Sequence, residues 1–387
     1  MVIGGYNKTK TPTTMTNKIV SIPSVLESHN IPVESVTNTQ IDGLKVSHNN
    51  QSFIVGKLAL NEGNSPHKVI NCAPNDTDYQ VLLKTALYLT NGLTNKRPIS
   101  LTTGFPFSTF KMNEKHSVKL IKGIGEIDID TRPFGGLGNE SIIPQIFSVN
   151  TMPELIASTL AVRSENENIN GGLFIVSLGY GTLEIGMSTD SGFIQRTFNS
   201  NSGIRYAVKS AMQKLEEEYY LGLRNEHQFD SSFRDGHIIL QRKRVDLTEI
   251  RREALKEYYR DIVSPLIKNT WTDDDFQKAK ALVLVGGGAL YTELVNEFYE
   301  EFDGILSIVI PDDPLTMASR GYKINSQKIV KENELNRDVI PVGIDIGNAN
   351  TVITIGEQEF KNKKIMEPQT NDEKILTDLP NANENDV

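Results

Sequence analysis

The sequence predicts an α/β protein in which mixed sheets are covered by helices and the chain falls into two halves. Three observations carry this. Runs such as Gly171–Ser177 (GGLFIVS) and Ala281–Val285 (ALVLV) are short, apolar and β-branched, as buried strands are. Between such runs lie segments with apolar residues at helical spacing, for example Val81, Leu82, Ala86 and Leu87. A unit of strand, turn and strand, followed by strand and helix, recurs in both halves.

Taken in order, residues 1–17 are rich in Thr, Lys and Asn and are expected to be flexible. Strands are predicted at Lys18–Ile22, Leu44–Val46, Phe53–Val55 and Ile99–Thr102, with a helix over Asp76–Thr90. Asn113–Ile121 is a helix candidate. Ile142–Val149 is read as one strand containing Pro144-Gln145, and Met152–Val162 as a helix with Pro153 in its first turn. In the second half, Gly171–Ser177, Leu183–Met187 and Phe193–Phe198 form a meander, and Gly203–Leu221 is a long helix. Asn225–Arg244 has mixed polarity and reads as a loop or hairpin insertion. Asp246–Ile267 is a further helix, whose LTEIRREALKEYYR stretch suits a solvated amphipathic face, a filament contact or the edge of a nucleotide site. Strand Ala281–Val285 then enters three glycines and helix Ala289–Phe302. Ile305–Ile310 is a strand, Leu315–Lys323 a helix, and Val342–Ile355 a hairpin. Residues 358–387 are polar and acidic, and read as a disordered tail.

Composition narrows the function classes. At 387 residues the chain suits two lobes rather than one core. A hydrophobic content of 38% and a mean hydropathy of −0.31 fit a globular protein, and no run is long enough to span a membrane, so a cytoplasmic location is expected. The one cysteine, Cys72, leaves no internal disulfide or cysteine-cluster metal site, and reads as a small residue near a loop. A net charge of −9 argues against direct nucleic-acid binding by the surface as a whole, so any DNA contact would pass through an adaptor.

The chemistry concentrates in three turns. Val342–Ile355 (VGIDIGNANTVITI) places Asp345 on a strand and Gly347 and Asn348 in the turn that follows. Small turn residues let main-chain N–H groups face an anion, and the Asp could hold a hydrated divalent cation against it. FIVSLGYGTLEIG repeats the style with Ser177, Gly179, Gly181 and Thr182. LVLVGGGALYTEL sets Gly286, Gly287 and Gly288 between a buried strand and a helix, where the backbone can approach a ligand closely.

On these motifs the chain resembles the actin–Hsp70–sugar kinase ATPase superfamily, and within it the ParM-like bacterial and archaeal actins, over residues 18–357. DIGNANT looks like the family's first phosphate loop, SLGYGTLEIG like its second, and LVLVGGGA like its adenosine motif. FIVGKLAL, SLTTGFPFSTF and IVIPDDPLTMASRGY are similar to further stretches of these proteins. The resemblance implies an actin-like two-lobe fold, each lobe a mixed five-stranded RNase H-like sheet flanked by helices. Lobe I would take residues 18–150 and 311–357, and lobe II residues 151–310. ATP (or GTP) and Mg²⁺ would lie between them. Asp345, Gly347 and Asn348 would bind phosphates and place the metal through water. Ser177, Gly179, Gly181 and Thr182 would clamp from the other lobe, and Gly203 would line the pocket. Gly286, Gly287 and Gly288 would face the adenosine, and Gln145 would orient the attacking water.

Two departures from the family pattern stand out. The first phosphate hairpin comes last, so the chain reads as circularly permuted, with the cut after that hairpin. The 14 residues of Asn325–Asp338 could bridge up to about 45 Å at roughly 3.3 Å per residue. The N-terminal VIGGYNKTKT could be a decayed copy of the hairpin, but lacks the Asp. Second, Ser177 stands where the family usually has an Asp, which implies slow or altered hydrolysis; Glu184 lies too far along its strand to take over that role. The implied function is a self-associating filament whose assembly depends on ATP. It would serve plasmid segregation through a DNA-binding adaptor, or a cytoskeletal scaffold. A small-molecule kinase of the superfamily, a chaperone-like ATPase and a non-hydrolysing interaction platform are the alternatives.

Overall fold

The computed structural model describes residues 18–68, 73–165, 171–219, 226–333 and 338–356. The N-terminal segment 1–17, Cys72 and the tail 358–387 lie outside the described residues. Two five-stranded sheets form the framework. In the first, the order is Lys18–Pro23, Asn350–Ile355, Ile340–Ile346, Ile99–Phe105, Ile146–Pro153; in the second it is Gly192–Ser202, Thr182–Thr189, Gly172–Leu178, Ala279–Val285, Ser307–Val309. The first three strands of each list pair antiparallel and the last two pairings are parallel.

The two sheets are thus built to one plan, with one difference in chain order. Hairpin Gly172–Leu178/Thr182–Thr189 opens the second sheet's run. The equivalent hairpin of the first sheet is Ile340–Ile346/Asn350–Ile355, and the chain reaches it last. Ile340–Ile346 sits at the sheet centre, and its apolar side chains are buried because helices cover both faces. Buried hydroxyls fasten the hairpin there. Ser24 Oγ lies 2.9 Å from Thr351 Oγ1, Ser319 Oγ 2.8 Å from Thr354 Oγ1, and Ser326 Oγ donates to the Val342 carbonyl at 2.9 Å. The connection into the hairpin is shorter than the sequence suggests, since helix Met317–Glu332 runs on to Glu332, seven residues beyond Asn325.

Several elements differ from expectation. A third, six-stranded sheet runs in the order His67–Lys68, Val25–Ser28, Gln51–Val55, Lys45–His48, Ile127–Asp130, Asn139–Ile142. It packs its apolar face with helix Thr77–Leu93 into the first sheet's core, through Leu26, Val46, Phe53 and Ile129. The predicted strand Ile142–Val149 is two strands, broken at residues 143–145, because Pro144 has no N–H to give a ladder. Met152 and Pro153 end the second of these, and the helix starts at Glu154. Asn225–Arg244 holds helix Glu226–Asp235 and the start of a hairpin, His237–Leu240 with Lys243–Asp246. The second sheet's own core gathers Phe174, Leu183, Phe229, Phe233, Tyr258 and Phe298. There Trp271 stacks on Phe174 at 3.9 Å, and its Nε1 donates to the Thr197 carbonyl.

Candidate functional site

In parallel sheets the carboxyl ends of the strands open onto the crevice where ligands bind. Here those ends, from both five-stranded sheets, border one cavity of about 460 Å³. The two hairpin turns meet in it. A Cβ on Gly181 would stand 2.2 Å from Asn348 Oδ1, so the two turns meet here at close range. Asp345, Gly347 and Asn348 face Ser177, Gly179, Gly181 and Thr182, and Gly286, Gly287 and Gly288 form the adjoining wall. Gly286 turns the chain with φ +85°, a conformation that a side chain would strain.

Two expected site residues lie elsewhere. Gln145 is exposed just before strand Ile146–Pro153 begins, at the amino end of a strand whose carboxyl end borders the cavity. Gly203 sits behind the second turn. Gly203, Ile204 and Arg205 donate their N–H groups to the carbonyls of Gly181, Gly179 and Tyr180 at 3.1, 3.0 and 2.9 Å. Gly203 thereby braces the turn, while Ile204 reaches the cavity.

The residue that does stand at the carboxyl end of strand Ile146–Pro153 is Glu154. It is half-buried and lines the cavity beside Ser177. Burial pushes its carboxyl up to about 7, against an ordinary 4.5. Asp345, also half-buried on the cavity wall, is raised well above the usual carboxylate range by burial and by the charge of Glu154. Glu184 lies directly across the strand pair from Ser177 and is 1% exposed. Its carboxyl is raised by burial and by Glu154, and Phe107 N donates to its Oε1 at 2.6 Å.

The cavity is also lined by Asp230, Arg234, Arg251, Tyr291, Glu293 and Leu315, none of them named as a candidate site residue from the sequence. Arg251 is held by Glu293 Oε1 at 2.8 and 2.6 Å and by the carbonyls of Phe233 and Arg234, so it is a fixed part of the wall. It lies in the LTEIRREALKEYYR helix, which the structure therefore places at the cavity edge. Tyr291 and Glu293 follow the three glycines within five residues, which was a usable signal. Among the described residues no group of three His, Cys, Asp or Glu side chains is arranged to hold a metal by itself. Of the two cavity-facing carboxylates, both raised by burial, Asp345 beside the phosphate turn is the oxygen donor that suits a hydrated Mg²⁺ shared with a phosphate.

Comparison with known proteins agrees with this geometry. Residues 4–143 match the family described as "Actin like proteins N terminal domain". No curated protein matches the chain. Among solved structures, the archaeal actin homolog Ta0583 superposes with a TM-score of 0.63 at 16% identity, over 79% of this chain and 92% of that one. It has also been solved in complex with ADP. A 15-stranded ParM filament from Clostridium botulinum gives 0.64 at 18% identity, over 79% and 92%. Bacillus thuringiensis ParM with ATP gives 0.51 at 15%, over 81% and 92%. Residues 4–143 thus carry the signature of an actin-like N-terminal domain, and the architecture is an actin-like, ParM-like two-lobe fold.

Proposed function

We propose that the chain binds ATP with Mg²⁺ in this cavity and polymerises into nucleotide-dependent filaments. The observation that carries the reading is the face-to-face meeting of the Gly181 and Asn348 turns above Asp345 and Glu154. Neutral small-residue turns on both sides suit a polyphosphate, and Asp345 suits its cation. Lobe I is assigned to residues 18–150 and 311–357, and lobe II to 151–310. The place of the final hairpin within the first sheet supports circular permutation of an actin-like chain.

In this reading Asp345 would hold the metal through water, and the metal, when bound, would offset phosphate charge. Glu154, near neutrality in its proton affinity, takes the proton of the attacking water. Ser177 orients Glu154 where a carboxylate would have been a second acceptor, so turnover is slow and filaments are long-lived. That favours a scaffold over a rapidly cycling spindle, with a DNA-binding adaptor required for plasmid segregation. The neighbours solved with ADP, with ATP and as a filament support nucleotide binding and self-association. No helix among the described residues is long and apolar enough to cross a membrane.

The test is pelleting and negative-stain microscopy with ATP, with ADP and without nucleotide, alongside calorimetric titration of Mg-ATP. Filaments that need ATP, and binding lost in Asp345→Ala, are expected. Absence of both filaments and binding would refute the reading.

A further inference from the structure

Among the described residues the chain passes between the two five-stranded sheets twice. Strand Ile146–Pro153 of the first sheet leads into helix Glu154–Glu165, which packs on the second sheet through Leu155, Ala161 and Val162. Strand Ser307–Val309 of the second leads on to helix Met317–Glu332, tied to the first by the hydroxyls of Ser319 and Ser326. The two helices touch closely, since a Cβ on Gly321 would stand 1.8 Å from the Ala157 carbonyl oxygen. Glu154 and Ser158 of one helix, and Leu315 and Ala318 at the head of the other, line the cavity. This crossing is the place about which the sheets can turn.

A second link is made by side chains alone. Lys68, on edge strand His67–Lys68 of the six-stranded sheet, forms an ion pair with Asp230 of helix Glu226–Asp235. That sheet shares the first sheet's core, and Phe229 and Phe233 fix the helix in the second's. The two side chains are 6% and 4% exposed, so salt screens the pair little. The Lys68 ammonium also lies 3.8 Å from the ring centroid of Tyr180, in the Gly179–Thr182 turn. Tyr180 is fixed in turn, its hydroxyl donating to Glu226 Oε1 at 3.0 Å and its carbonyl accepting from Arg205 N at 2.9 Å. Tyr180 and Asp230 line the cavity, whereas Lys68 does not. The cavity is thus bounded by the helix crossing and by this link.

We propose that Lys68, Asp230 and Tyr180 form a clasp that governs how fast nucleotide enters and leaves the cavity. Turning the sheets apart about the helix crossing requires the ion pair to part. That strips a buried ammonium of its carboxylate, so opening is rare. The contacts run from protein to protein and oppose entry and exit alike. Through the Tyr180 ring the clasp also bears on the turn assigned to phosphate. This rests on the nucleotide-binding reading above, and goes beyond it by assigning control of a rate to Lys68, which does not border the cavity.

The test follows N-methylanthraniloyl-ADP with Mg²⁺ by stopped flow in the full chain, as wild type, Lys68→Met and Lys68→Arg, at protein concentrations below assembly. Met keeps the packing of the Lys stem without its charge, while Arg restores the pair. Expected in Lys68→Met is a rise of about 10-fold or more in both the association and the release rate, the factor set by loss of a charge-assisted hydrogen bond. The dissociation constant should stay within about 3-fold, because a gate that opens more often raises both rates together. Lys68→Arg should release the nucleotide at close to the wild-type rate. In wild type the observed association rate should level off with increasing ligand, at the opening rate of the clasp. That measurement carries the test if Lys68→Met does not fold. Unchanged rates in Lys68→Met overturn the proposal, as does faster release with unchanged entry, which a lost ligand contact would give. So does a wild-type association rate proportional to ligand over the whole accessible range. Each of these leaves nucleotide binding standing, whereas a wild type that takes up no nucleotide overturns both.

Discussion

Lys68 and Asp230, separated by 162 positions in sequence, form a buried ion pair that joins the six-stranded sheet to the helix Glu226–Asp235 on the cavity wall. The Lys68 ammonium also lies 3.8 Å from the ring centroid of Tyr180, in the second phosphate turn. Burial lowers the Lys68 proton affinity, and Asp230 offsets part of that. Tyr180 extends the contact by donating to Glu226 Oε1 at 3.0 Å, and Glu226 accepts from Arg205.

The pair is unequal, which makes a directional prediction. Removing Lys68 leaves Asp230 with Arg234, 3.2 Å away. Removing Asp230 leaves a buried ammonium without the carboxylate that neutralises it. Asp230→Ala should therefore cost about 3–5 kcal/mol, the range for breaking a buried pair from one side, and Lys68→Ala distinctly less. Urea unfolding of the two single variants and the double variant measures this. A double variant no more stable than Asp230→Ala would show that the pairing is not the cause.

Asp345→Ala separates binding from folding. Its carboxyl sits in a cavity wall with Glu154 as a like-charged neighbour, so its removal relieves repulsion in the empty protein. We expect unchanged or slightly higher thermal stability and a fall of about 10-fold or more in Mg-ATP affinity, the loss typical of a charged hydrogen-bonding group. Differential scanning calorimetry and titration calorimetry on the same preparation give both numbers.

The pH dependence follows from Glu154. Its folded value of about 7 lies above its ordinary 4.5, so the folded chain holds the proton more tightly than the unfolded chain. That contribution to stability is full below about pH 4.5 and is lost as pH rises through about 7. Without nucleotide and metal, the melting temperature should fall between pH 5.5 and pH 8 in wild type. The slope should be shallower in Glu154→Gln, which carries the neutral form at every pH. Parallel slopes in the two proteins would assign the effect to other groups.

The two phosphate turns and the glycine turn were legible in the sequence because each compresses its chemistry into a few consecutive residues. Glu154 was not, because an acidic residue in a helix's first turn is favourable anywhere through the helix dipole, and only the sheet shows which such carboxylate faces the crevice. Gln145 misled for a related reason. Gln145 was named from the resemblance of Pro144-Gln145 to the family pattern, whereas the break at residues 143–145 puts it before the strand's amino end. Asp230 and Arg251 come from segments of mixed polarity, in which only tertiary packing separates a cavity wall from a solvated face. Lys68 and Asp230 lie too far apart in sequence for any local pattern to pair them.

Two glycines of the second hairpin region should respond to alanine in opposite ways. At Gly181 the new methyl would press on Asn348 Oδ1, the tip of a side chain that can swing aside. Gly181→Ala should therefore fold with nearly wild-type stability while the two turns part and Mg-ATP affinity drops by about 10-fold or more, as expected where backbone must approach a ligand closely. At Gly203 the methyl would meet main-chain atoms of Gly179, Thr182 and Tyr180 at 2.4–2.6 Å, none of which can rotate away. Gly203→Ala should thus lose about 1–3 kcal/mol of stability through overpacking, with affinity following only as the turn is displaced. Paired urea unfolding and Mg-ATP titration of the two variants distinguish a residue that meets the ligand from one that braces the turn. If Gly181→Ala were the less stable of the two and still bound Mg-ATP normally, the meeting of the turns would not be the binding site.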